Sequence, residues 1–146
     1  MGKAVSSPTT PKALPCRPLL FSSATREGKD FGAGDINVWH IARGFDCIGY
    51  HYVVRLDGTV ERGRDEQKIG AHCVGHNAMS IGVCYIGGLG DDKQPKDTRT
   101  PQQKDALRSL LARLKAKYPD AKIRGHRDFA AKACPCFDAT AEYADL

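Results

Sequence analysis

The run Ser80-Ile-Gly-Val-Cys84-Tyr-Ile-Gly is continuously apolar and of strand length. It reads as a central strand. A second element answers it. Thr100-Pro101-Gln102-Gln103 is a capping box with Pro at the first helical position. Leu107, Leu110, Leu111, Leu114 and Tyr118 follow at helical spacing, and Pro119 ends the helix. One apolar stripe of this kind suits a helix lying on a sheet. The 146 residues fit a single domain over 18–146, able to bury a real core without staples, with no internal repeat.

The remaining elements are shorter. Residues 1–17 are rich in Ser, Thr, Pro and Lys and read as a loosely attached or disordered tail. Leu19-Leu20-Phe21 reads as a short buried strand, and Ser22-Ser23-Ala24-Thr25 leaves it. Asp35 is placed to cap a helix over 36–42, with Gly44 ending it and Ile36, Trp39 and Ile41 giving it apolar surface. Asp57-Gly58 predicts a hairpin over 49–63. Strand alternation there puts Tyr50 and Tyr52 on one face and His51 on the other. Residues 64–79 form a polar connection without periodicity, a kind of loop that often carries function. Residues 87–99 read as a charged surface loop, and 139–146 as a short helical turn.

Net charge is +5 and the pI about 8.9. That favours anionic polymers in general. No basic run is interleaved with aromatics, so nucleic acid is not the expected ligand. No apolar stretch approaches membrane-spanning length, and the first 18 residues lack the apolar core of a secretory signal. The expectation is a monomer that stays cytoplasmic until it is released. The six cysteines (Cys16, Cys47, Cys73, Cys84, Cys134, Cys136) are then reduced by default, with one or more committed to metal.

The densest chemistry lies in Lys122-Ile-Arg-Gly-His126-Arg-Asp-Phe-Ala-Ala-Lys132-Ala-Cys134-Pro-Cys136. Neutral imidazole and thiolate are good ligands for Zn²⁺. The spacing from His126 to Cys134 is too wide for one helix face, so a loop must fold the sulfur back. Lys132 would then sit where its charge can meet a developing oxyanion. A structural histidine beside a disulfide-forming Cys-Pro-Cys pair is the plainer alternative, and spacing alone does not decide between them.

An ordered set of motifs carries a resemblance. Gly49-Tyr-His-Tyr-Val-Val, Asp57-Gly-Thr-Val, Gly63-Arg64, Gly70-Ala-His72 with Asn77, Ser80-Ile-Gly-Val, Gly125-His126 and Lys132-Ala-Cys134-Pro together resemble the amidase-type phage lysozymes. More distantly they are similar to peptidoglycan recognition proteins. The likeness covers roughly residues 21–138. It implies an α/β fold with a mixed central β-sheet flanked by helices. It implies zinc-dependent hydrolysis of the amide between N-acetylmuramoyl and L-alanine in peptidoglycan, in an open cleft. His126 and Cys134 match two zinc ligands. Tyr50 and Lys132 match the catalytic tyrosine and lysine, and His72 and Asn77 match positions lining the substrate cleft.

One position departs from the pattern. The first zinc histidine of the family would fall just before the Ser-Ala-Thr stretch, and here that position is Phe21. A benzyl group cannot ligate metal, and two protein ligands fall short of the three usual in catalytic zinc sites. Three expectations follow: a degenerate amidase that binds peptidoglycan without cutting it; a replacement ligand from His72, Cys136 or Cys16; or weak zinc on two ligands.

Overall fold

Period-two alternation in two neighbouring strands organises the chain. In β1 (Arg17–Ser22), Leu20 packs into one apolar group while Leu19 and Phe21 pack into another on the opposite face. In β5 (Ser80–Tyr85), Ile81, Val83 and Tyr85 join Leu20, and Cys84 joins Phe21. All six β5 residues are buried. The structure, a computed structural model, describes residues 17–73 and 75–146.

Between these strands run β2 (Thr25–Arg26), α1 (Ala33–Ala42), β3 (Tyr52–Val54) and β4 (Val60–Arg62). After them come β6 (Gly88–Leu89), α2 (Pro101–Lys117), β7 (Arg124–Gly125) and α3 (Ala139–Glu142). The main sheet has five strands in the order β4-β3-β5-β1-β7. Only the β3–β4 hairpin is antiparallel; β3, β5, β1 and β7 pair in parallel. The expected mixed sheet with flanking helices is therefore present. β2 and β6 form a separate parallel pair.

α2 covers one face through Leu107, Leu110, Leu111 and Leu114, all buried. Its capping box forms as the sequence predicts, with Thr100 Oγ1 accepting from Gln103 N–H and Gln103 Oε1 accepting from Thr100 N–H. Gln103 goes further. Its Nε2 donates to the Val54 and Ile86 carbonyls, stitching the helix start to the sheet. α1 contributes Ile36 to the opposite face. No helix among the described residues is long and apolar enough to cross a membrane.

Several expectations are corrected. α1 begins at Ala33, not Ile36, because Glu61 Oε1 accepts from Ala33 N–H and Asp35 Oδ2 accepts from Gly32 N–H. Two carboxylates thus serve its first turn. Ile41 does not pack inward; it is 50% exposed and Val38 63%. Tyr50 and Tyr52 do not share a face. Regular pairing starts only at Tyr52, so Tyr50 packs beside Phe21 while Tyr52 lies on the α2 side. The 87–99 segment is not wholly surface. Arg99 is buried between Asp97 and Glu142 with its guanidinium 3.4 Å from the Phe137 ring centroid, and so anchors α3. Of the expected tail, Arg17 opens β1, and residues 1–16, with Cys16, lie outside the described residues.

A buried carboxylate ties the 64–79 connection to the end of α2. Glu66 accepts from Tyr52 Oη at 2.5 Å, Lys117 Nζ at 2.6 Å and Tyr118 Oη at 2.8 Å. Burial alone would raise its pKa, but these three donors hold it down to about 2. The folded value lies below the ordinary one, so the stabilisation is complete above about pH 4.5 and is lost as pH falls toward 2. We expect Glu66→Gln to cost about 1–3 kcal/mol at pH 7 and to flatten the acid limb of a Tm-versus-pH curve. An acid limb identical to the parent's would refute this role for Glu66.

Candidate active site

Phe21 occupies the centre of the site. It lies near the end of β1, opposite Cys84 of β5, and is 1% exposed. Its ring centroid is 4.7 Å from that of His126, 5.1 Å from Tyr50 and 5.2 Å from His72. Cys134 packs against the same apolar group, and its Sγ accepts the Ser22 N–H at 3.1 Å. The loop after His126 does fold the sulfur back to the end of β1. Lys132 is exposed, and its charge acts on both His126 and Cys134. The structure therefore brings Tyr50, His126 and Cys134 around Phe21, with the exposed Lys132 near enough for its charge to act on two of them.

The electrostatics follow from burial. Burial and then Lys132 lower the His126 pKa, so its imidazole is neutral at pH 7. Burial pushes the Cys134 thiol up, against the Ser22 N–H and Lys132, which pull it down. Burial, with Cys84 and Cys134 alongside, raises the Tyr50 phenol well above its ordinary value. Tyr50 is thus a proton-bearing group that donates rather than a base.

His72 is half-buried, its ring centroid 5.2 Å from that of Phe21. Its ring is wedged between Gly70 and Gly82; a Cβ on either would meet it at 2.5 or 2.6 Å. Both ring nitrogens are buried. Asn77 is turned to its own loop, where its Oδ1 accepts the N–H groups of His72 and Cys73, each at 2.9 Å. His51 is structural: Gly82 N–H donates to its Nδ1, and its Nε2 lies 2.8 Å from the Lys68 carbonyl. That pattern makes Nε2 the protonated nitrogen. His40 is likewise structural, with Nδ1 accepting from Gly49 N–H. Cys134 and Cys136 are both free thiols, and Cys136 Sγ points to the Gly88 carbonyl.

The residues present do not fit a three-ligand zinc site. His126 and Cys134 supply two donors, and the third direction is filled by a ring without a lone pair. Among the described residues, no group of three His, Cys, Asp or Glu side chains is placed to hold one ion. His72 and Cys136 therefore do not complete the set. Sequence reading missed the Phe129–His76 stack, 4.1 Å between ring centroids, beside the site. Neither residue has a periodic or spacing signal that would have paired them.

Comparison with known proteins places this geometry. The sequence profile described as N-acetylmuramoyl-L-alanine amidase matches residues 21–137, starting at Phe21. The chain is similar to the endolysin of Escherichia phage T7, 49% identical over 121 residues, covering 82% of this chain and 80% of that protein. It is 47% identical over 120 residues to the endolysin of Klebsiella phage KP32, with the same coverage of 82% and 80%. Among solved structures, the N-acetylmuramoyl-L-alanine amidase LysC from Clostridium intestinale URNW aligns with a TM-score of 0.74 at 28% identity, over 94% of this chain and 89% of that one.

Phe21 sets the expectation for metal. Phe21→His should bind zinc at one per chain and at least about tenfold more tightly than the parent, a gain of about 1.4 kcal/mol. In the absence of metal it should be less stable by about 1–2 kcal/mol, from lost apolar packing. Calorimetric zinc titration and metal-free Tm values for both proteins test this. Tight one-to-one zinc on the parent would show that Phe21 does not block the site.

Proposed function

We propose that this chain, which belongs to the N-acetylmuramoyl-L-alanine amidase family, acts on peptidoglycan at the amide joining the muramoyl lactyl group to L-alanine. The observation that carries the reading is the gathering of Tyr50, His126 and Cys134 around Phe21, with Lys132 near enough for its charge to act on His126 and Cys134. Near-half identity to phage endolysins over most of the chain supports it.

The chain's own groups suit an acyl-transfer site. An amide carbonyl placed beside Lys132 would find an exposed ammonium for the charge that develops on its oxygen. Tyr50 would donate a hydrogen bond from a phenol that keeps its proton. Neutral His126 offers a lone pair as a proton acceptor. In relatives that carry all three ligands, zinc would supply Lewis acidity and an activated water. No step here is routed through it, because this donor set is incomplete.

Phe21 favours a second reading, in which the same cleft binds muramoyl peptide without turnover. Its buried ring packs against Tyr50, His72 and His126 where a third ligand would point. Four measurements on one preparation separate the readings. Zinc stoichiometry is read alongside wall turbidity, and protein retention on pelleted walls is followed with release of new amino termini. Release of amino termini supports the amidase. Retention without release supports the binder. Neither would sink both.

If amino termini are released, Lys132→Ala should lower kcat by about 10²–10³-fold, with KM changed far less. Tyr50→Phe should act in the same direction. Equal kcat for Lys132→Ala and the parent would remove Lys132 from the reaction.

A further inference from the structure

The segment from His126 to Cys134 carries three groups of the candidate site, His126, Lys132 and Cys134, and Phe129 is its single large apolar side chain. Beyond Phe129, Ala131, Lys132 and Ala133 are exposed. Charged side chains secure the start of the segment. Asp128 Oδ2 accepts from Gly125 N–H and from Thr140 Oγ1, each at 2.8 Å, and Arg127 lies 3.8 Å from Asp138. Both residues come before Phe129. The far end is fixed at Cys134, whose Sγ accepts the Ser22 N–H.

Phe129 is held by two residues from distant parts of the chain. It stacks on His76, with 4.1 Å between ring centroids and 28° between planes. The Arg17 guanidinium carbon lies 5.0 Å from the Phe129 centroid, within cation–π range. Arg17 Nη2 and His76 Nδ1 are 3.1 Å apart. A guanidinium has no acceptor, so Arg17 donates and His76 Nδ1 carries the lone pair. Each member of the trio therefore touches the other two. Arg17 opens β1, and His76 precedes the Asn77–Met79 turn into β5. Arg17 pairs with Ser80 in the parallel register, so the trio stands on the starts of the two central strands.

We propose that Arg17 and His76 clasp Phe129, and that Phe129 is the positioning residue that sets where Lys132 and Cys134 stand relative to His126. The catalytic consequence rests on the peptidoglycan reading above; the clasp does not. Ordering an exposed segment costs backbone entropy, and Ala131, Lys132 and Ala133 bury too little to offset it. The offset must come from a neighbour in sequence, and Phe129 supplies it three residues before Lys132 and five before Cys134. Without the clasp the segment keeps its two ends, while the stretch between them opens locally and Cys134 loses its fit against Ser22.

The test reads the segment directly and needs no turnover. The full chain is treated with iodoacetamide at one pH without denaturant, and alkylation of each cysteine is followed by peptide mass spectrometry. Phe129→Ala should speed alkylation of Cys134 at least about fivefold, with Cys47 and the fully buried Cys84 at parent rates. Phe129→Tyr keeps the stack and should restore the parent rate. Arg17→Met should shift Cys134 in the same direction as Phe129→Ala, by less. A parent-like Cys134 rate in Phe129→Ala, or no rescue by Phe129→Tyr, would overturn the clasp. An equal rise at Cys84 would assign Phe129 to global stability and reject the positioning role. If the parent releases amino termini from walls, Phe129→Ala should lower kcat at least about tenfold with KM little changed. Unchanged kcat beside faster alkylation would reject the catalytic consequence. A parent that releases none counts against the amidase reading alone, and the alkylation rates still decide the clasp.

Discussion

The parallel seating of β1 between β5 and β7 is the constraint on which the cleft depends. Phe21 lies against Cys84 on one side, and Leu20 against Gly125 on the other. This register places His126, the next residue after Gly125, beside the Phe21 ring. It also brings Cys134 to the Ser22 N–H at the end of the same strand. A slip of one residue would turn Phe21 toward α2 and Leu20 toward His126. The two apolar groups would then exchange members, so core packing and site geometry are specified by one alternation.

Burial then decides the chemistry of each group. Tyr50, His126 and Cys134 are all moved toward their neutral forms, because desolvation penalises charge. Lys132 stays exposed as the one cation among them. Phe21 acts in the same sense. Its aromatic ring is buried on the dry side of the sheet, at the position where the family likeness implies a polar ligand. The fold therefore accommodates it in a buried position, even as the donor set stays at two. Stability and metal binding pull in opposite directions at this position.

Much of this was legible residue by residue. The apolar run at Ser80–Tyr85 became the central strand, and the Thr100–Gln103 box capped α2 with the bonds its sequence implies. Other features had no local signal. Arg99 looked like one more charge in a surface loop, and only packing of α3 against Phe137 shows it to be buried. α1 starts early because Glu61, distant in sequence, accepts from its first turn. Tyr52 changed face because pairing with β5 begins there and not three residues sooner.

The sequence alone determined the strand and helix inventory, the family likeness and the oddity at Phe21, since these depend on residue types at short spacing. Tertiary structure decided what surrounds that oddity. Whether His72 could stand in as a ligand was a matter of where its ring goes, and Gly70 and Gly82 hold it beneath Phe21. Whether His126 meets Phe21 depended on a parallel register between segments about a hundred residues apart. Local propensity carries no information about such pairings, because their free energy comes from burial shared between strands that meet only in the folded chain.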